Sequence, residues 1–287
     1  MPSYPLALVR PVLVALFVCL LVPSTGRAGD APIRGEALYA LHCATCHGLG
    51  GEGDGSAAPR LARRPRDFTQ GVYKLKSSRP EDYLSLDDDI FGAITNGISA
   101  GGMPPWGDAL SEGERRDLVA YLKSLSPVFD EEPTPSPLDL TGKVPATADS
   151  VARGRQAYLD LQCGECHGDT GRGPSRKKLK DDYGAAISPR DLAKPWTYIG
   201  PVTPEGLYAR LTNGIPLTPM PGFVEHAGKS VAAKVRWDLV NYLAALHAEG
   251  VEERRRLWWI VVGALALVAC AGAGWMAVRR FGRRGGR

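Results

Sequence analysis

The chain has 287 residues, with 35 Lys and Arg against 31 Asp and Glu, 6 Cys and 5 His; at 44% hydrophobic and 23% charged it is neither disordered nor collagen-like. The formal charge of +4 belongs to the ends, to Arg10 and Arg27 on one side and Arg279, Arg280, Arg283, Arg284 and Arg287 on the other, and the remainder carries −3. A nucleic-acid binder needs a basic face on its folded part, so no nucleic-acid partner is expected.

In chain order, residues 1–28 read as a secretory signal peptide: Arg10 supplies the positive region, 12–22 the apolar run, and Gly26-Arg27-Ala28 a small-x-small cleavage site. Cys19 leaves with that signal, and the mature chain starts near Gly29. Helical patterning covers 35–42, 81–96 and 112–125 in the first half, with Asn96-Gly97 as a helix stop. Pro127, Pro133, Pro135, Pro137 and Pro145 then punctuate an acidic stretch with Asp130, Glu131 and Glu132, which reads as a linker over 127–149 that holds neither a regular helix nor a central strand. It separates 29–126 from 150–251, each the size of a small domain. Helical patterning returns over 153–162, 204–213 and 231–248. Residues 257–278 hold 22 positions without a charge, a length of about 33 Å, enough for one transmembrane helix. Trp258, Trp259 and Trp275 lie near its ends, Cys270 is a small residue within it, and the basic tail 279–287 is expected on the cytoplasmic side, with the body outside.

The two halves repeat one another. Cys43-Ala44-Thr45-Cys46-His47-Gly48 answers Cys163-Gly164-Glu165-Cys166-His167-Gly168, and Pro65-Arg66-Asp67-Phe68 answers Pro189-Arg190-Asp191-Leu192. Thr95-Asn96-Gly97-Ile98 recurs as Thr212-Asn213-Gly214-Ile215, followed by Met103-Pro104 and Met220-Pro221, and Leu118-Val119-Ala120-Tyr121-Leu122 answers Leu239-Val240-Asn241-Tyr242-Leu243. Ordered agreement of this kind points to duplication. Alternating β-branched runs are scarce, so each half is expected to be a small all-α unit that needs a staple.

Cys-x-x-Cys-His is the attachment pattern of c-type haem: the thiols of Cys43 and Cys46, and of Cys163 and Cys166, bind the macrocycle, and His47 and His167 bind iron on the proximal side. Two haems are therefore expected. Zinc would need a fourth ligand and a second cysteine pair that neither half offers, and a thioredoxin-like pair would need a βαβ context. For the sixth iron ligand, Met1 lies in the signal and Met276 in the apolar span, which leaves Met103 and Met220 at matching places 56 and 53 residues after their histidines. The competing readings are packing roles for both methionines, and His226 as the ligand in the second half. His42 and His247 are spare histidines.

These motifs resemble the class I c-type cytochromes over both halves. The resemblance implies that an N-terminal helix carrying Gly35 and Tyr39, or Gly154 and Tyr158, crosses a C-terminal one carrying Tyr121 or Tyr242. It also implies a proline carbonyl that orients the proximal imidazole. Pro59 suits that role in the first half, whereas Pro174, only seven residues after His167, leaves the second open. The fold expected is all-α, two tandem cytochrome c-like domains followed by a C-terminal transmembrane helix.

An iron held on both faces by protein is suited to one-electron exchange. The expectation is a membrane-anchored dihaem electron carrier of a respiratory chain in the bacterial cytoplasmic membrane, its haem domains in the periplasm. Its redox partners would be a quinol-oxidising complex and a terminal oxidase, reductase or soluble carrier, and its layout is similar to the dihaem subunits of some bc-type quinol oxidases. A dihaem peroxidase or a haem-based redox sensor stands as the alternative, since either needs a releasable iron position. Weaker features are Trp106 and Trp196 as haem-edge or packing residues, the run Arg176, Lys177, Lys178, Lys180 in a second domain of +3 facing a first of −3, and Asp87, Asp88 and Asp89 as a solvated helix face.

Overall fold

The computed structural model describes residues 31–98, 101–173 and 177–282, with side chains described as far as 267. The signal segment 1–28 and Pro174 lie outside the described residues, and so do most of the tail 279–287 and the side chains of 268–278. The first half folds as α1 (Ala31–His42), the single turn α2 (Ala44–His47), α3 (Asp87–Asn96) and α4 (Glu112–Ser124). The second repeats it as α6 (Ala148–Asp160), α7 (Gly164–His167), α8 (Pro204–Asn213) and α9 (Ala233–Gly282). Two antiparallel hairpins of two-residue strands, β1 (Leu179–Lys180) with β2 (Ala186–Ile187) and β3 (Glu225–His226) with β4 (Lys229–Ser230), are the only strands among the described residues.

In each half the first helix crosses the last at a glycine. A Cβ on Gly35 would lie 2.2 Å from the Asp117 carbonyl oxygen, and one on Gly154 would lie 2.0 Å from that of Asp238, so only glycine permits the approach. The closeness lets Tyr39 reach Tyr121, with ring centroids 5.1 Å apart, and Tyr158 reach Tyr242 at 5.6 Å. The preceding arginine fastens each crossing: Arg34 grips Asp117, and Arg153 grips Asp238, through paired bonds of 2.8 to 3.0 Å. Ser111 and Glu114 form a capping box on α4, Thr147 caps α6, and Thr203 caps α8 with Pro204 in the first turn.

Three expectations are modified. The helix expected over 81–96 starts only at Asp87, because Asp89 turns back to accept the backbone N–H of Leu86 and of Ser77. Asp87 and Asp88 pair with Lys123 and Arg116 of α4, so this acidic run ties two helices together. The segment 127–149 does hold one helical turn, α5 (Val128–Glu131), started by Pro127. It also docks: Leu138 donates its N–H to Ser77 and Asn241 donates to the carbonyls of Val144 and Pro145, while Leu138 and Val144 pack on the second core. The closing helix runs 50 residues without a break, from the second core through the backbone of 257–278. Among the described residues no helix is long and apolar enough to cross a membrane.

Candidate functional site

In both halves the cysteine pair and histidine fall on a one-turn helix after the first long helix, with Cys43 and Cys163 at its N-cap. No disulfide joins Cys43, Cys46, Cys163 or Cys166. Burial pushes the Cys43 thiol up to about 11 and that of Cys163 up to about 12, as expected of thiols facing an apolar cleft. Tyr39 and Tyr158 donate their hydroxyls to the carbonyls of Gly48 and Gly168 at 2.7 and 2.6 Å, which holds the chain as it leaves each histidine.

The next turn explains a repeat that sequence inspection passed over. His47-Gly48-Leu49-Gly50-Gly51-Glu52-Gly53 and His167-Gly168-Asp169-Thr170-Gly171-Arg172-Gly173 share three glycines, all with positive φ, at 48, 51 and 53 and at 168, 171 and 173. This loop folds the chain back so that Phe68 bonds to the Gly51 carbonyl, and Leu192 to that of Gly171, both at 2.7 Å. The Pro-Arg-Asp segment is thereby laid beside the histidine. His47 Nδ1 donates to the carbonyl of Arg66, and His167 Nδ1 to that of Arg190, both at 3.0 Å.

The orienting carbonyl is therefore that of Arg66, not Pro59 as the resemblance implied, and Arg190 answers the open question in the second half. Pro59 lies in a 3-10 turn, Ala58–Arg60. A carbonyl only accepts, so in each neutral imidazole Nδ1 carries the proton and Nε2 keeps its lone pair free for a metal. Burial lowers both histidine pKa values and so favours this ligating form, although the carbonyl bond opposes the shift. Phe68 stacks on His47 with centroids 4.4 Å apart, and Leu192, at the matching position of the repeat, is buried in the second core.

The two methionines occupy matching turns. Gly97 and Gly214 close their helices at φ 66 and 71, and Ile98 and Ile215 donate their N–H groups to the carbonyls of Met103 and Met220 at 2.9 and 3.1 Å. This explains the repeated Thr-Asn-Gly-Ile. In the second half a cavity of about 360 Å³ is lined by Cys163, Cys166, His167, Met220 and His226. A neighbouring hollow of about 80 Å³ is bordered by His167 and Met220 but not by His226. Met103 is half-buried in the corresponding turn of the first half.

The remaining candidates fall to packing. His42 lies 5.0 Å from Trp106, and His247 is buried edge-on against Tyr198. Trp106 borders the first core, while Trp196 is exposed beneath Arg254.

Paired thiols, an oriented imidazole and a soft thioether-bearing turn form a donor set that fits covalently bound haem, and it occurs twice, with a cavity beside the second copy. Fold and site define a tandem dihaem cytochrome of the class I c type. Residues 30–122 match the family described as cytochrome c oxidase, cbb3-type, subunit III, and residues 151–247 match cytochrome c. The chain belongs to the cytochrome c family and carries two covalently attached c-type haems.

Among its relatives, it is 26% identical over 140 residues to the cbb3-type cytochrome c oxidase subunit FixP of Sinorhizobium medicae, a match covering 48% of this chain and 39% of that protein. It is 30% identical over 147 residues to subunit CcoP of an Azospirillum species, covering 50% of this chain and 42% of that one. The chain thus spans about two fifths of the length of these curated relatives. A chain in the reducing HAO-like protein complex of Kuenenia stuttgartiensis is 33% identical, with a TM-score of 0.68, over 74% of this chain and 95% of that one.

Proposed function

We propose that the chain is a membrane-anchored relay passing single electrons through a respiratory complex, from a quinol-oxidising partner to a terminal oxidase, reductase or soluble carrier. The subunit of a bc-type quinol oxidase is one form of this reading. Two haem domains, 29–126 and 150–251, are joined by 127–149. Cys43 and Cys46 would hold one haem and Cys163 and Cys166 the other, with His47 and Met103, and His167 and Met220, as the protein donors to iron. When bound, the haem iron supplies one-electron exchange between its ferrous and ferric states.

The observation that carries this reading is the matched pair of sites: each half builds the same imidazole-to-carbonyl bond and the same methionine turn, as two carriers of one type require. A thioether favours ferrous iron and raises the potential. The carbonyls of Arg66 and Arg190 keep each imidazole in its ligating tautomer. Two protein donors assigned to each iron would leave no position for peroxide. The membership of the named relatives in an oxidase and in a HAO-like complex supports partners that are themselves redox assemblies.

The anchor is supported by the continuity of α9 and by Leu257, Trp258, Trp259 and Ile260, all more than half exposed. The signal pattern at 1–28 and the basic tail at 279–287 support the reading that both haem domains lie in the periplasm.

The test is a haem count with ferric and ferrous visible spectra on detergent-solubilised protein, repeated for Met103→Ala and Met220→Ala. Two haems are expected, each losing the weak far-red methionine-to-iron band with its own substitution. His226 in the cavity wall favours one rival: loss of a nitrogenous-ligand signature in His226→Ala, with Met220→Ala silent, would assign the second sixth ligand to His226 and reopen ligand exchange there.

A further inference from the structure

The cavity of the second domain is not lined by that domain alone. Arg63 and Lys74 of the first domain line it together with Arg190. The segment that carries them is seated on the second domain by several contacts. Asn213 donates to the carbonyls of Lys76 and Ser78 at 2.9 and 3.0 Å, Tyr183 donates to Gln70 at 3.3 Å, and the Arg64 guanidinium lies 5.1 Å from the centre of the Tyr183 ring.

Cations outnumber anions at this junction. Lys74 is held in the field of Arg66, Arg63 and Arg190, with Asp181 as the opposing carboxylate, and burial with this crowding lowers its pKa to about 8. Asp181 is already engaged by the backbone N–H groups of Tyr183 and Ala185. Glu165, the carboxylate on the cavity wall, is paired with Lys177. Arg66 is largely buried beside Tyr183, and burial is the main cause that lowers its pKa. Lys74 thus meets three cations and a single carboxylate that is already engaged, so its surroundings at the cavity wall favour a further negative charge. A c-type haem brings two propionate carboxylates of its own.

We propose that Arg63 and Lys74 reach across the domain boundary to bind the propionate carboxylates of the second haem, so that the first domain completes the second domain's cofactor site. Arg190 contributes from the second domain, and Arg66, its counterpart in the repeat, presents the same charge from the first. The haem then fastens the two domains together through charge-assisted hydrogen bonds. The two cations also raise its potential, because a nearby positive charge disfavours the ferric state. This rests on His167 and Met220 as the ligands of the second haem.

The experiment is a spectroelectrochemical titration of the full-length protein with redox-difference infrared spectra, comparing wild type, Lys74→Met, Lys74→Arg and the double variant Arg63→Gln with Lys74→Met. The wave of the second haem is identified by its displacement in Met220→Ala. With both haems retained, the double variant is expected to lower the reduction equilibrium constant of that haem by about tenfold, to shift its carboxylate bands, and to leave the first haem far less changed. Lys74→Arg should stay near wild type. If the double variant loses the second haem, Lys74→Met decides by the same readouts. An unchanged second wave and unchanged carboxylate bands would overturn the proposal, as would an equal shift in Lys74→Arg, which would mark a packing effect. A Met220→Ala variant that displaces neither wave would instead refute the ligand assignment.

Discussion

Asp238 ties two helices of the second domain together at one carboxylate. Almost fully buried, it accepts from Ser150 and Arg153 of α6 and from Lys234 one turn earlier on α9. Asn241 extends the network from Ser150 to the strapped segment at Val144. These bonds, Arg153 foremost, hold the Asp238 carboxyl well below the usual carboxylate range. A depressed carboxylate pKa gives stability that is complete above the unfolded value near 4 and declines as pH falls toward the folded value. Asp238→Asn should therefore cost on the order of 2 kcal/mol at pH 7, with Arg153 half exposed and its share screened. Denaturant titrations should show the gap from wild type narrowing toward pH 3; a gap independent of pH would mean that shape, not charge, matters at this position.

At the scale of the element, the helix crossing sets the architecture of both domains. Gly35→Ala and Gly154→Ala each place a methyl group against a backbone carbonyl that cannot rotate away, so α1 must lift from α4, or α6 from α9. Each substitution is expected to destabilise its domain by about 2 kcal/mol or more, read as a lower midpoint of thermal unfolding and a lower yield of the corresponding haem. The turn after the histidine behaves likewise. Gly51→Ala and Gly171→Ala disfavour the positive φ that lets Phe68 and Leu192 pair with it, at about 1 to 2 kcal/mol each. Loss of that pairing should loosen the bond from His47 or His167 to its carbonyl, seen as weakened retention of the methionine-to-iron band on heating.

At the scale of the molecule, 127–149 is a strap as well as a connection, since it bonds to Ser77 and Arg79 on one side and to Asn241 on the other. A long helix then carries the second domain directly toward the apolar stretch. Ending the chain after Arg256 should release a dihaem protein into the periplasmic fraction with an unchanged spectrum, whereas the full chain should sediment with membranes. Membrane retention of the truncated form would mean that something other than 257–278 holds it there.

What could be read in the sequence is what covalent spacing and local backbone preference impose. Cys-x-x-Cys-His must be contiguous because one macrocycle spans it, the methionine turns recur after the same Asn-Gly stop, and the glycine at each crossing precedes its aromatic partner by four residues. The glycine loop was equally visible but carries no chemistry of its own, so its meaning waited for the fold. The orienting carbonyl was not legible, since every residue has one and Pro59 had as good a claim as Arg66 until Gly51 paired with Phe68. Asp89 looked like a solvated charge because its N–H partners are set by tertiary position.

Sequence alone thus determined the duplication, the haem chemistry and the helical character of each domain, all consequences of short-range spacing. Only the tertiary structure decided which carbonyls hold the imidazoles, how the strap docks, and that Arg63 and Lys74 stand in the wall of the other domain's cavity. Those depend on groups far apart along the chain meeting in space, and their electrostatic value comes from burial that no local pattern records.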